Sequence, residues 1–151
     1  MQWKKDTFIL STDQTLLQVD RIHRFLSQEA YWCLNIPLEV VKKSIRNSLC
    51  FGLYSTSKSE PLQIGYARII SDFATFAWLC DVYVEKDWRG KALSKWMMEC
   101  LISHPDLKGL RRICLATKDA HSLYLKYGFE VTKTPENWME IKDNDIYKKP
   151  S

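Results

Sequence analysis

Glycine and proline are sparse in this chain, five of each in 151 residues. No linker, repeat or low-complexity tract interrupts it, so a multi-domain or fibrous organisation is excluded. No apolar run approaches the roughly 18 residues that a membrane-spanning helix needs. The N-terminal stretch MQWKKDTFIL has neither the long apolar region nor the small-residue cleavage site of a signal peptide, so a cytoplasmic protein is expected. The five cysteines (33, 50, 80, 100 and 114) are odd in number, form no C-x-x-C and mostly lie in apolar segments. They read as free thiols of a reducing compartment, not as disulfides or a zinc site. His23, His104 and His121 lack metal-ligand spacing, so no metal is expected. The charge is only +4, from 22 basic and 18 acidic residues. The basic pairs Lys42-Lys43, Arg111-Arg112 and Lys148-Lys149 are scattered and have no interleaved aromatics, which argues against nucleic acid as a partner.

What is present is a foldable core: 46% hydrophobic residues and 13% aromatics, enough for one domain spanning 1–151. Thr7–Leu10 reads as a first strand, followed by turn or capping residues at Ser11-Thr12-Asp13. Val19, Ile22, Phe25, Leu26 and Ala30 mark a first helix ending near Tyr31-Trp32. A second helix starts at Pro37 and carries Val40, Val41, Ser44 and Ile45. Leu49–Tyr54 and Leu62–Ile70 read as an antiparallel pair across a polar loop, the second alternating around Ile64, Tyr66 and Arg68. Further on, Arg112–Ala116 reads as a buried strand, and Thr117 or Asp119 caps a helix stopped by Gly128. Strands are then expected at Phe129–Thr132 and Asn144–Lys148. The resulting order is β-α-α-β-β-β-α-β-α-β-β, an α/β (α+β) domain with a mixed sheet.

The stretch Thr75–Pro105 organises the rest. Phe76–Val84 is rich in aromatic and β-branched residues and predicts a strand. Leu93, Trp96, Met97, Cys100 and Leu101 recur at helical period and predict an amphipathic helix. Between them lies the polar, basic turn Glu85-Lys86-Asp87-Trp88-Arg89-Gly90-Lys91. The first N–H groups of a helix have no intrahelical partner and carry roughly half an elementary charge, so this turn suits an anion such as a phosphate. Gly90 permits close backbone approach, and Arg89 and Lys91 add positive charge.

The string Arg89-Gly90-Lys91-Ala92-Leu93-Ser94 resembles the acyl-CoA pyrophosphate loop of the GNAT superfamily of N-acetyltransferases, Gln/Arg-x-x-Gly-x-Gly/Ala. Ala92 replaces the central glycine and Ser94 the final small residue. Ala120-His121-Ser122-Leu123-Tyr124-Leu125-Lys126-Tyr127-Gly128-Phe129 resembles the family element A-x-x-L-Y-x-K-x-G-F at every named position. Phe51-Gly52 and Ile64-Gly65-Tyr66-Ala67-Arg68 are similar to its second and third strands. The resemblance covers roughly Leu49–Val131. It implies a mixed sheet of about six to seven strands, flanked by four helices. The strands Phe76–Val84 and Arg112–Ala116 would splay to admit the pantetheine arm of acetyl-CoA.

Residue by residue, the resemblance implies that Gly90, Lys91, Ala92, Leu93, Ser94 and Lys95, with Arg89, hold the pyrophosphate. The backbone of Val82, Tyr83 and Val84 would pair with the pantetheine amides and meet the thioester carbonyl. Thr117 stands where relatives carry a CoA-contacting asparagine, and Tyr124 would protonate the departing thiolate. A packed core tyrosine also fits the face shared by Ala120, Leu123, Tyr124 and Tyr127. The methyl of Ala92 is expected to leave helical dihedrals accessible and to weaken CoA binding without abolishing it.

Acyl transfer to an amine needs a proton acceptor, because an alkylammonium has a pKa of about 10.4. Asp81 is the leading candidate, with Glu85 and Asp87 as alternatives that a solvated turn also explains. The expected activity is acetyl transfer from acetyl-CoA to a primary amine by direct attack in a ternary complex. The acceptor is expected to be a small amine or an amino-acid-like metabolite. A protein lysine or N-terminus, and a non-catalytic acyl-CoA sensor, are the alternatives. Tyr31, Trp32 and Trp138 are aromatic enough to line an acceptor pocket, and Glu29 and Asp72 to attract a cation. Monomer and homodimer both remain open.

Overall fold

The computed structural model describes residues 1–148. Six strands form one sheet whose spatial order is the chain order: β1 (Gln2–Lys5), β2 (Phe8–Ser11), β3 (Leu49–Ser55), β4 (Leu62–Ser71), β5 (Phe76–Val84) and β6 (Arg112–Leu115). The first five pair antiparallel, and β6 joins β5 in parallel. The helices are α1 (Val19–Gln28), α2 (Leu38–Arg46), α3 (Leu93–Ile102) and the short α4 (His121–Leu125). This mixed sheet with four helices is the expected class.

Two cores lie on its two faces. One gathers Phe51, Leu53, Ala67, Ile69, Ala77 and Leu79 around the apolar stripe of α3. The other packs Ile22, Phe25 and Leu26 of α1 and Val41 and Ile45 of α2 against Cys50, Tyr66 and Tyr83. Phe25 stacks flat on Tyr83 with ring centroids 3.7 Å apart. All five expected stripe residues of α3 are buried, and Met98 with them.

Asp13 caps a short 3-10 turn by accepting from the Thr15 N–H at 2.9 Å. Pro37 sits one position before α2, and Gly128 takes φ +86° just past α4, the left-handed stop expected there.

Three expectations need correction. Gln2–Lys5 forms an edge strand that its polar composition hides. It is held by the ladder to β2 and by Trp3, which stacks on Phe51 at 6.0 Å. The alternation around Ile64, Tyr66 and Arg68 is broken by a register shift opposite Leu53/Tyr54. Ile64 therefore packs with the α3 core and Tyr66 with the α1–α2 core. Finally, neither Phe129–Thr132 nor Asn144–Lys148 is a strand. Val131 is 71% exposed and Ile146 55%. Their β-forming composition has no ladder partner among the described residues, and propensity alone does not make a strand.

Candidate active site

β5 changes character along its length. Phe76, Ala77, Trp78 and Leu79 pair with Arg112–Leu115 on one side and with β4 on the other, the exception being Phe76 on the β4 side. β6 then ends, and Cys80–Val84 continues with a ladder on the β4 side only. The two strands therefore part at Leu79 and Leu115, and the backbone of Val82, Tyr83 and Val84 borders the opening.

A bulge sits at the parting. Tyr66 faces Tyr83 and Arg68 faces Cys80, so Asp81 and Val82 together oppose Ala67 alone. Asp81 takes φ +54°, a left-handed conformation that aspartate tolerates better than most residues. Regular alternation would have aimed Asp81 into the α3 core beside Ala77 and Leu79. The bulge turns it to the α1–α2 side instead, where a carboxylate can find partners. Its Oδ2 accepts from Arg68 Nε at 2.8 Å, and its Oδ1 accepts from Trp32 Nε1 at 3.0 Å. The pair is largely buried, with 15% of the Arg68 side chain and 9% of the Asp81 side chain exposed.

Beyond β5 the chain turns through Lys86–Trp88 into α3. Arg89 anchors the turn by donating from Nε to the Val84 carbonyl at 2.9 Å. Gly90 has φ +80°, and a β-carbon there would meet nothing within 4 Å, so its backbone is open to close approach. α3 has no side-chain cap and no acidic residue in its first turn. The N–H groups of Leu93, Ser94 and Lys95 precede the first intrahelical bond, from Trp96 N to the Ala92 carbonyl at 3.1 Å. This is an anion-accepting geometry, with Arg89, Lys91 and Lys95 exposed around it.

Ala92 corrects its expectation. It has φ +57° and ψ 22°, left-handed and not right-handed helical. That conformation costs a non-glycine residue about 1–2 kcal/mol, which explains why a glycine fits this position of the loop.

Tyr124 on α4 is 9% exposed, and among the described residues nothing hydrogen-bonds its hydroxyl. Burial, with Tyr31 and Asp119 nearby, pushes its phenol up to about 12, so it holds its proton at neutral pH. Tyr124 and Thr117 line a cavity of about 680 Å³ with Leu115, His121, Phe129 and Trp138. Neither Asp81, Val82–Val84 nor the Arg89–Lys95 loop borders that cavity. Thr117 is not idle, since its Oγ1 accepts from the Ala120 N–H at 3.0 Å.

The alternative carboxylates are placed elsewhere. Glu85 accepts from Arg21 at 2.6 and 2.7 Å, with Arg24 3.7 Å away. Asp87 is exposed in the turn, as is Glu29 beyond α1. Asp72 is consumed by its own turn, accepting from the N–H groups of Ala74, Thr75 and Phe76. Among the described residues no three His, Cys, Asp or Glu side chains gather as a metal site.

Sequence reasoning missed the Arg68–Asp81–Trp32 link. Its signal was an arginine two residues after Tyr66 in an otherwise apolar strand, a charge that burial obliges to find a partner.

Residues 53–131 match the family model of the GNAT acetyltransferase domain. The chain belongs to the GNAT acetyltransferase family. It is accordingly an acyltransferase. A protein of Gibberella zeae, FG08082, provisionally named an acetyltransferase, is 34% identical over 142 residues, covering 82% of this chain and 79% of its own. A structure from Xanthomonas campestris pv. campestris, provisionally assigned to the acetyltransferases of the GNAT family, is 45% identical. It superposes with TM-score 0.88 over 94% of this chain and 97% of its own. A more distant structure, that of a protein from Clostridium acetobutylicum assigned as an acetyltransferase, was solved with acetyl-CoA. It shares the fold at TM-score 0.65 and 18% identity, over 89% of this chain and 94% of its own.

Proposed function

We propose that this GNAT protein uses acetyl-CoA to acetylate a primary amine by direct attack in a ternary complex. The observation that carries the reading is the parting of β5 and β6 beside the uncapped start of α3. The edge Val82–Val84 has no strand on its β6 side and offers backbone groups to an extended amide-bearing arm, the Val84 carbonyl excepted, which already accepts from Arg89. The N–H groups at the start of α3, with Arg89, Gly90, Lys91 and Lys95, suit its pyrophosphate. Thr117 lies near enough to Tyr124 to contact the same ligand. The acetyl-CoA in the Clostridium acetobutylicum structure supports this choice of acyl donor.

In the step itself, the ammonium gives one proton to Asp81 and the freed amine attacks the thioester carbon. The carbon–sulfur bond breaks as the tetrahedral intermediate collapses. Tyr124 donates its proton to the thiolate and regains one from the nitrogen, through water. The products are the amide, the free thiol of CoA and one proton released to solvent. The acceptor is a small amine or an amino-acid-like metabolite. Five free thiols fit a reducing cytoplasm, and burial pushes those of Cys33 and Cys80 up to about 12.

The test is calorimetric titration with acetyl-CoA, then thiol release over a panel of primary amines with wild type and Tyr124→Phe. Binding with turnover that the variant loses supports the reading. Binding without turnover favours an acyl-CoA sensor, and absence of binding overturns the reading.

A further inference from the structure

The parting between β5 and β6 is spanned by two consecutive side chains of the α1–α2 loop. Trp32 reaches the β5 side, its indole N–H donating to Asp81 Oδ1 at 3.0 Å. Tyr31 reaches the β6 side, where its hydroxyl accepts from the backbone N–H of Lys118 at 3.2 Å. The Lys118 ammonium lies 5.5 Å from the centre of the Tyr31 ring, and the two rings meet edge to face at 5.0 Å. These are not core residues, for Tyr31 is 50% and Trp32 44% exposed. Two large aromatics are thus held over the opening chiefly by two hydrogen bonds.

With Arg68 on Oδ2 and Trp32 on Oδ1, an ammonium that approaches Asp81 meets a competing donor on either oxygen. The Arg68 bond is the sheltered one, between two largely buried side chains, and Arg68 is itself steadied by a bond from its Nη1 to Ser48 Oγ at 3.1 Å. The Trp32 bond is the exposed and releasable one.

We propose that Tyr31 and Trp32 form the acceptor gate, and that an incoming ammonium displaces the Trp32 indole N–H from Asp81 Oδ1. The aromatic faces then hold the cation while its proton passes to the freed oxygen. Trp32 is therefore a positioning residue that competes with the amine. This rests on the acetyl-CoA-dependent reading above.

The experiment follows thiol release from acetyl-CoA with methylamine, n-propylamine and benzylamine, in wild type, Trp32→Phe and Trp32→Ala, with acetyl-CoA affinity of each measured by calorimetry. Trp32→Phe keeps a ring and removes the competing donor. Its amine KM should fall roughly 3- to 10-fold, the net weight of one ordinary hydrogen bond, with the gain in KM and not in kcat. Trp32→Ala removes the wall too, and its amine KM should rise. A role in folding alone would move both variants the same way.

A higher amine KM in Trp32→Phe, with acetyl-CoA affinity intact, overturns the gate and leaves the transferase standing. Loss of acetyl-CoA binding by the wild type overturns both. If no probe amine turns over, the indole 15N resonance of Trp32, assigned by its absence in Trp32→Phe, is followed as benzylamine is added to the acetyl-CoA complex. A shift supports displacement, and an unmoved resonance overturns it.

Discussion

The two halves of β5 carry the same kind of sequence and do opposite work. Phe76–Leu79 is laddered to β6, and Ala77 and Leu79 are 0% and 2% exposed. Cys80–Val84 has lost its neighbour on the β6 side and contains a bulge, a left-handed aspartate and a buried ion pair. An unpaired strand edge is a liability that proteins usually cover. Leaving one beside a helix start with free N–H groups is a stability cost, which the proposed function explains by a ligand that completes the ladder. The first half holds the sheet together, and the second is built to be finished by something else.

Four measurements break or sharpen this division. Tyr124→Phe touches only the open end: kcat should drop by about 100-fold or more. Denaturant unfolding should shift by less than about 1 kcal/mol, because its hydroxyl has no protein partner to lose. Leu79→Ala touches only the closed end. It should lower unfolding free energy by about 2–5 kcal/mol while the folded fraction keeps its acetyl-CoA affinity. An affinity loss in place of a stability loss would erase the distinction between the halves.

Ala92→Gly relieves the left-handed strain at the helix start and should stabilise the protein by about 0.5–1 kcal/mol in thermal or denaturant unfolding. Acetyl-CoA should then bind equally or more tightly, and a large loss of affinity would remove the loop from the site. The smallest effect is that of alkali. Because burial raises the phenol of Tyr124 to about 12, its neutral form persists past the ordinary tyrosine value of about 10. Its stabilising contribution is complete below that ordinary value and is lost as pH climbs toward 12. A kcat profile should accordingly show no alkaline fall attributable to this acid below roughly pH 10. A fall near neutrality that disappears in Tyr124→Phe would show that burial does not hold this phenol's proton.

Much of the architecture was legible because hydrophobic period and turn chemistry agree. Leu93, Trp96, Met97, Cys100 and Leu101 announce α3, and the Arg89–Ser94 turn announces what its start is for. What stayed hidden depends on partners distant in sequence. The β1 strand is polar and exists through Trp3 on Phe51 and the ladder to β2. The bulge at Asp81 is fixed by how β4 and β5 register, and the dihedrals of Ala92 by how the turn meets α3. Asp81 was singled out by its position, yet its engagement by Arg68 and Trp32 needed side chains 13 and 49 residues away. The stretch after Gly128 fails in the opposite sense, since its composition suggests strands that no ladder supports.

Spatial strand order that follows chain order also bears on how the molecule assembles. Five of the six strands pair antiparallel with neighbours next in chain order; β1–β2, β3–β4 and β4–β5 close short loops at little entropic cost, while β2 and β3 are joined through α1 and α2. The β5–β6 junction alone requires a parallel crossover, through the turn and α3 between Glu85 and Arg111. The proposed ligand slot therefore lies at the one parallel seam of the described sheet. A donor molecule bridging that seam would act as a clamp on it, slowing amide exchange in β6 and α3 far more than in β1–β4.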